Sequence, residues 1–141
     1  MDYLIKVLSL NDVDGEQTKE EIITHASLTG NKDDYTIVYK EDVSGLIAET
    51  TIRVLGGECV TVMREAEIQT HMVIEVGRKH ISEHRLPFGS FNLEVIGRSV
   101  SSAFSENCTE LSFAYTTYQD NSPIGKAEFN MTLKKKGHLK S

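Results

Sequence analysis

From end to end this chain alternates apolar and polar residues with a period of two, broken by turn-forming residues every eight to twelve positions. No run of eleven or more residues carries a helical period, so the chain has to fold as short strands. Tyr3 to Leu10 reads as a first strand, stopped by the loop signal Asn11-Asp12-Val13-Asp14-Gly15. Glu16 to Glu21 is a polar lead-in or a short helical turn before a strand over Ile22 to Thr29. Tyr35, Ile37 and Tyr39 share one face of the next strand. Nine or ten strands joined by hairpin-length turns make an antiparallel up-and-down meander. Such a meander removes its edges by closing into a barrel of about 8–10 strands, in preference to a sandwich with long crossovers.

Two hairpins carry the residues with chemistry. A two-residue turn at Gly56-Gly57 would set Val54 against Cys59, putting Val54, Ile52, Cys59 and Met63 on a core face and a Glu49–Arg64 pair on the other. A two-residue turn at Gly77-Arg78 would oppose His71 to His84 and Glu75 to His80. One face then carries His71, Val73, Glu75, His80, Ser82 and His84. The more apolar face carries Thr70, Met72, Ile74, Val76, Ile81, Glu83 and Arg85, and that is the face expected to line the barrel. His80 and His84 on one strand stand about 13 Å apart and cannot share a metal. His71 and His84 supply only two ligands, so no metal site is expected. Glu83 and Arg85 read either as a rim pair in contact with water or as placed polar groups in an apolar cavity.

Composition narrows the function further. A net charge of −6 disfavours binding to a phosphate backbone, and the absence of Trp disfavours a stacking platform, so no nucleic acid is expected. No apolar run reaches membrane-span length and no signal peptide opens the chain, which points to the cytoplasm, with Cys59 and Cys108 as separate reduced thiols. Lys134-Lys135-Lys136 with Lys140 suggests a flexible basic tail over about 135–141 after a single domain spanning 1–141. The motifs of serine nucleophiles, phosphate-binding loops and cysteine–histidine pairs are missing, so the chain leans away from being an enzyme, and no cofactor is expected.

Val60-Thr61-Val62-Met63-Arg64, Gln69 to Glu75, Gly77-Arg78-Lys79-His80 and Leu86-Pro87-Phe88-Gly89-Ser90-Phe91 together resemble the YwiB-like family of small bacterial proteins. The chain departs from that pattern at His84 and Leu86, where the family is expected to carry an aromatic residue and a threonine. The resemblance implies a calycin (lipocalin-like) β-barrel and no particular reaction. The expectation is then a barrel that holds a small, partly apolar or anionic ligand, as a monomer or homodimer. Tyr39, Met72, Glu83, Arg85 and Tyr115 are its candidate lining, with Arg64 to anchor an anionic group. The alternative is a structural or protein-interaction module with a filled barrel. A third reading is a metal-dependent or acid–base enzyme using His71, Glu75 and His84.

Overall fold

A computed structural model describes residues 2–137. Ten strands follow one another: β1 (Tyr3–Val13), β2 (Glu16–Asn31), β3 (Asp34–Val43), β4 (Leu46–Leu55), β5 (Cys59–Glu65), β6 (Gln69–Glu75), β7 (Lys79–Leu86), β8 (Gly89–Ala103), β9 (Cys108–Gln119) and β10 (Ser122–Lys135). Each pairs antiparallel with its sequence neighbours, and β1 pairs with β10, so the up-and-down meander closes into a barrel without sheet edges. Among the described residues no helix is long and apolar enough to cross a membrane.

The hairpins have local causes. Asp14-Gly15, Ser44-Gly45 and Asp120-Asn121 have positive φ at both central positions, the geometry whose twist matches that of the strands it joins. The Asp12 and Asp42 carboxylates accept the backbone N–H groups of Gly15 and Gly45 at 3.2 and 2.8 Å, which holds the first two of these turns.

Glu16 to Glu21 is part of β2, neither a helical turn nor a lead-in. Its partners Leu8 to Val13 on β1 supply backbone hydrogen bonds whatever the side chains' polarity. The basic segment also begins later than its charges suggest. Lys134 and Lys135 lie in β10, and the N–H groups of Lys135 and Lys136 donate to the carbonyls of Asn107 and Asp2 at 3.0 and 2.9 Å. The remainder of the expected tail, His138 to Ser141, lies outside the described residues.

Two registers differ from expectation by one residue. At Gly56-Gly57 the turn forms, with Glu58 N–H on the Leu55 carbonyl at 3.2 Å, but Glu58 then stays outside the ladder and Leu55 pairs with Cys59. At the next hairpin the turn is Val76-Gly77, closed by Arg78 N–H on the Glu75 carbonyl at 3.1 Å, and the ladder resumes with His71 opposite Glu83. A one-residue slip reverses the faces of a strand. On β5, Val60, Val62 and Arg64 therefore turn inward while Cys59 and Met63 turn out. On β7, Ser82 and His84 turn inward while Ile81, Glu83 and Arg85 face solvent.

One half of the barrel is filled. Tyr35, Ile37, Val54, Val60, Ile74 and Leu111 are fully buried there, with Phe104 against the Tyr35 ring at a 5.0 Å centroid distance. The Tyr35 hydroxyl meets Ser102 Oγ at 2.5 Å, and Tyr3 donates to the Glu106 carbonyl at 2.7 Å, so the aromatic residues that plug this end are hydrogen-bonded as well as packed. β6 also crosses close to β8 here. Gly77 N–H donates to the Gly97 carbonyl at 3.0 Å, and a Cβ on Gly97 would lie 2.6 Å from the Glu75 carbonyl oxygen. Gly97→Ala should therefore lower the unfolding free energy in urea by roughly 1–3 kcal/mol, the cost of overpacking a closed contact.

Candidate functional site

A row of facing residues crosses six strands on the inside of the barrel. Ladder partners link Tyr39 to Thr50, Thr50 to Arg64, Arg64 to Thr70, Thr70 to His84, and His84 to Phe91. Five of these six side chains are polar, in a lumen whose remaining lining is mostly hydrocarbon. Below the row lies a cavity of about 280 Å³. Its apolar wall is Ile52, Val62 and Met72 on one side and Val95, Phe113 and Phe129 on the other. Tyr115 and Thr117 add hydroxyls from β9.

Arg64 is not free to act as a lone cation. Its Nη1 donates to Glu41 Oε1 at 2.8 Å, and Glu41 is the more buried partner, with only 13% of its side chain exposed. Glu41 on β3 and Arg64 on β5 are two strands apart, roughly 10 Å. Two long side chains close that distance where the intervening strand presents the small, buried Ala48. Removing either partner would leave a largely buried charge unpaired.

His84 is fully satisfied as a neutral ring. Ser82 Oγ lies 3.0 Å from His84 Nε2 and 3.2 Å from the Leu93 carbonyl. A hydroxyl has one hydrogen. If Ser82 gives it to the carbonyl, it must accept from Nε2–H. Nδ1 then faces the Thr70 hydroxyl at 3.4 Å, and the ring stacks on Phe91 at 4.9 Å. This pair is unlike an activated nucleophile. The serine hydrogen is committed to a carbonyl, and the far nitrogen meets a hydroxyl where an orienting carboxylate would stand.

One polar group on the cavity wall has no partner. Thr50 is 3% exposed, and its hydroxyl makes no well-formed hydrogen bond among the described residues, although it lies close enough to the Tyr39 phenol to act against the rise in that group's pKa. Burial dominates at Tyr39 and pushes its pKa up. Burial alone raises Tyr115 to about 12, so its hydroxyl is a neutral donor at any physiological pH.

Of the candidate lining residues, Tyr39, Arg64, Met72 and Tyr115 all border this cavity. Glu83 and Arg85 do not. They pair with each other on the outer surface of β7, because the register slip puts their parity outside. The residues missed by the sequence reading are Thr50, Ser82 and Glu41, and that reading places His84, a candidate only for metal or acid–base chemistry, on the outer face. The available signal was the charge itself: Glu83 and Arg85 together on a supposed inner face already favoured the opposite parity. His71, Glu75 and His84 are not assembled. His84 lines the lumen, His71 faces outward opposite Glu83, and Glu75 accepts from His80 Nε2 at 3.0 Å. No group of three metal-ligating side chains occurs among the described residues.

A family model described as a domain of unknown function, DUF1934, matches residues 5–131. The chain belongs to this family. Among solved structures it is similar to the crystal structure of ywiB protein from Bacillus subtilis, with a TM-score of 0.82 and 21% identity over 94% of this chain and 90% of that one. At that identity the likeness establishes the shared ten-stranded barrel, in agreement with the resemblance read from Val60 to Phe91. No curated protein matches.

Desolvation lowers the His84 pKa below its ordinary 6.5. The unfolded chain therefore takes up this proton first, and as pH falls below about 6.5 stability is lost until the folded pKa is passed. In urea titrations across pH 5–7, His84→Gln should flatten this slope, and the His84 ring resonances should titrate below those of a free imidazole.

Proposed function

We propose that this barrel is a binding protein for a small, partly apolar, uncharged molecule held in its lumen, with no reaction of its own. The observation that carries this reading is the Thr50 hydroxyl, buried without a partner on the wall of a largely apolar cavity. An unpaired buried hydroxyl costs about 1–3 kcal/mol, and a bound hydroxyl or carbonyl would offset that cost. The Tyr39 and Tyr115 hydroxyls, also facing the cavity, give a ligand two further points of orientation. At about 280 Å³ the space lies just under the usual range of roughly 300–1,000 Å³, which favours a compact guest.

The absence of net charge in the lumen selects against anions. Glu41 already neutralises Arg64, so a carboxylate or phosphate ligand would have to displace it. The binding reading fits the calycin (lipocalin-like) use of a barrel interior and a cytoplasmic setting, both inferred by analogy of fold and composition. The rival reading, a structural or protein-interaction module acting as a monomer or homodimer, draws on the filled half of the barrel and the exposed Phe88 at the tip of the β7–β8 hairpin. It leaves the unpartnered Thr50 hydroxyl without a purpose.

Benzyl alcohol is a suitable probe, read through amide shifts in a nitrogen-15 NMR titration. Saturable shifts around Thr50, Val62 and Tyr115 are expected, and Val62→Phe, which fills the cavity, should abolish them. Thr50→Val should weaken binding while raising unfolding stability by about 1 kcal/mol, because it removes an unsatisfied group. Equal binding by the wild-type and Val62→Phe proteins would place the probe elsewhere and end the lumen reading. Glu41→Gln, which frees the Arg64 charge, should create affinity for benzoate that the wild-type protein lacks.

A further inference from the structure

The lumen does not end at its polar row. A second, wider space of about 510 Å³ lies beyond it, bounded by Val43, Leu46 and Ile47 at the β3–β4 hairpin, Ala66 and Ile68 between β5 and β6, and Phe91 on β8. Arg64, Thr70 and His84 border both spaces, so the two meet at that row. Both are mostly apolar, but only the inner one borders a buried hydroxyl that the protein leaves unpaired. The inner space holds the Thr50 hydroxyl, 3% exposed and without a partner among the described residues, beside the hydroxyls of Tyr39 and Tyr115. The outer space is walled by hydrocarbon that the fold leaves uncovered, with Val43, Leu46, Ile47, Ile68 and Phe91 each 42–61% exposed.

From this arrangement we infer that the site is one continuous channel through the polar row that takes an elongated, uncharged amphiphile. Its hydroxyl- or carbonyl-bearing end lies inward among Thr50, Tyr39 and Tyr115, and its hydrocarbon chain lies outward along Leu46, Ile47 and Ile68. The inference rests on the lumen reading above and adds the length and orientation of the ligand. The reverse orientation would leave the buried Thr50 hydroxyl unpaired, which is unfavourable. A charged end is disfavoured because the cation at the neck, Arg64, is already held by Glu41. The Thr70–His84 side of the row suits such a molecule poorly as a resting place for its head. Thr70, Ser82 and His84 already satisfy one another there.

The test is a homologous series, 1-butanol to 1-nonanol, titrated against the intact protein by nitrogen-15 NMR. Each methylene buried along the channel should tighten binding by about fourfold. The gain should continue through the longer alcohols, with amide shifts at Leu46, Ile47 and Ile68 appearing only for these. Ile47→Asp, an exposed position that folding does not depend on, should remove the gain of the longer members and leave 1-butanol unchanged. Thr50→Val should weaken every member by a similar factor.

A plateau once the inner cavity is full, or Ile47→Asp binding the long alcohols as well as wild type does, overturns the channel while leaving the lumen reading intact. Indifference of the whole series to Thr50→Val overturns the head-inward orientation. Failure of every alcohol to bind overturns both the channel and the lumen reading. If sedimentation shows dimers that Ile47→Asp dissociates and that alcohols do not, the outer patch belongs to a second copy of the chain and the channel is likewise refuted.

Discussion

The parity of the β-ladder is the constraint on which the rest of this structure depends. Ten strands closing on themselves leave each side chain only two choices, into the barrel or out of it, and every choice is tied to that of its ladder partners. The row from Tyr39 to Phe91 shows the consequence. Six residues on six consecutive strands are brought to one ring of the lumen by register alone, without a loop or a helix to place them. A site built on paired strands is held by backbone hydrogen bonds on both sides, which makes its geometry stiffer than one carried on loops.

Within that frame the interior is divided. Tyr35, Ile37, Val54 and Leu111 fill one half with packed hydrocarbon, and Tyr35 and Tyr3 close it with hydrogen bonds. This half supplies the apolar burial on which a single domain of this size relies. The other half gives up packing for a cavity, and its polar groups fall into two kinds. Glu41 with Arg64, and Ser82 with His84 and Thr70, are mutually satisfied and serve to rigidify the neck. The buried Thr50 hydroxyl has no partner among the described residues. That contrast between closed networks and an open hydroxyl separates groups that hold the fold from one directed at a guest.

Much of the fold was legible in the chain, and less of the site. Alternation through Tyr35, Ile37 and Tyr39, or through Leu111, Phe113 and Tyr115, marks strands and their inner faces because each strand carries its own apolar stripe. β7 has no such stripe: His80-Ile81-Ser82-Glu83-His84-Arg85 offers a single strong apolar residue, Ile81, and the fold leaves it 60% exposed. Its parity had to be counted from the preceding turn, and the turn lies one residue earlier than Gly77-Arg78 suggests. The same difficulty affected β5, where Glu58 bulges and Arg64 turns inward. Glu83 and Arg85 were thus exchanged for Ser82 and His84 by a single residue of register.

The sequence by itself determined the class, the strand count to within one or two, the closure into a barrel, and the inward direction of strands with a clear stripe. These are properties of local pattern, and local pattern needs only neighbours along the chain. Only the tertiary structure decided which half of the barrel is filled, that Glu41 neutralises Arg64 across Ala48, and that the Thr50 hydroxyl is left alone. Each of these depends on residues brought together from different strands, where a shift of one position exchanges inside for outside. The energy difference between those alternatives is spread over a whole closed ladder, so no single hairpin can reveal it.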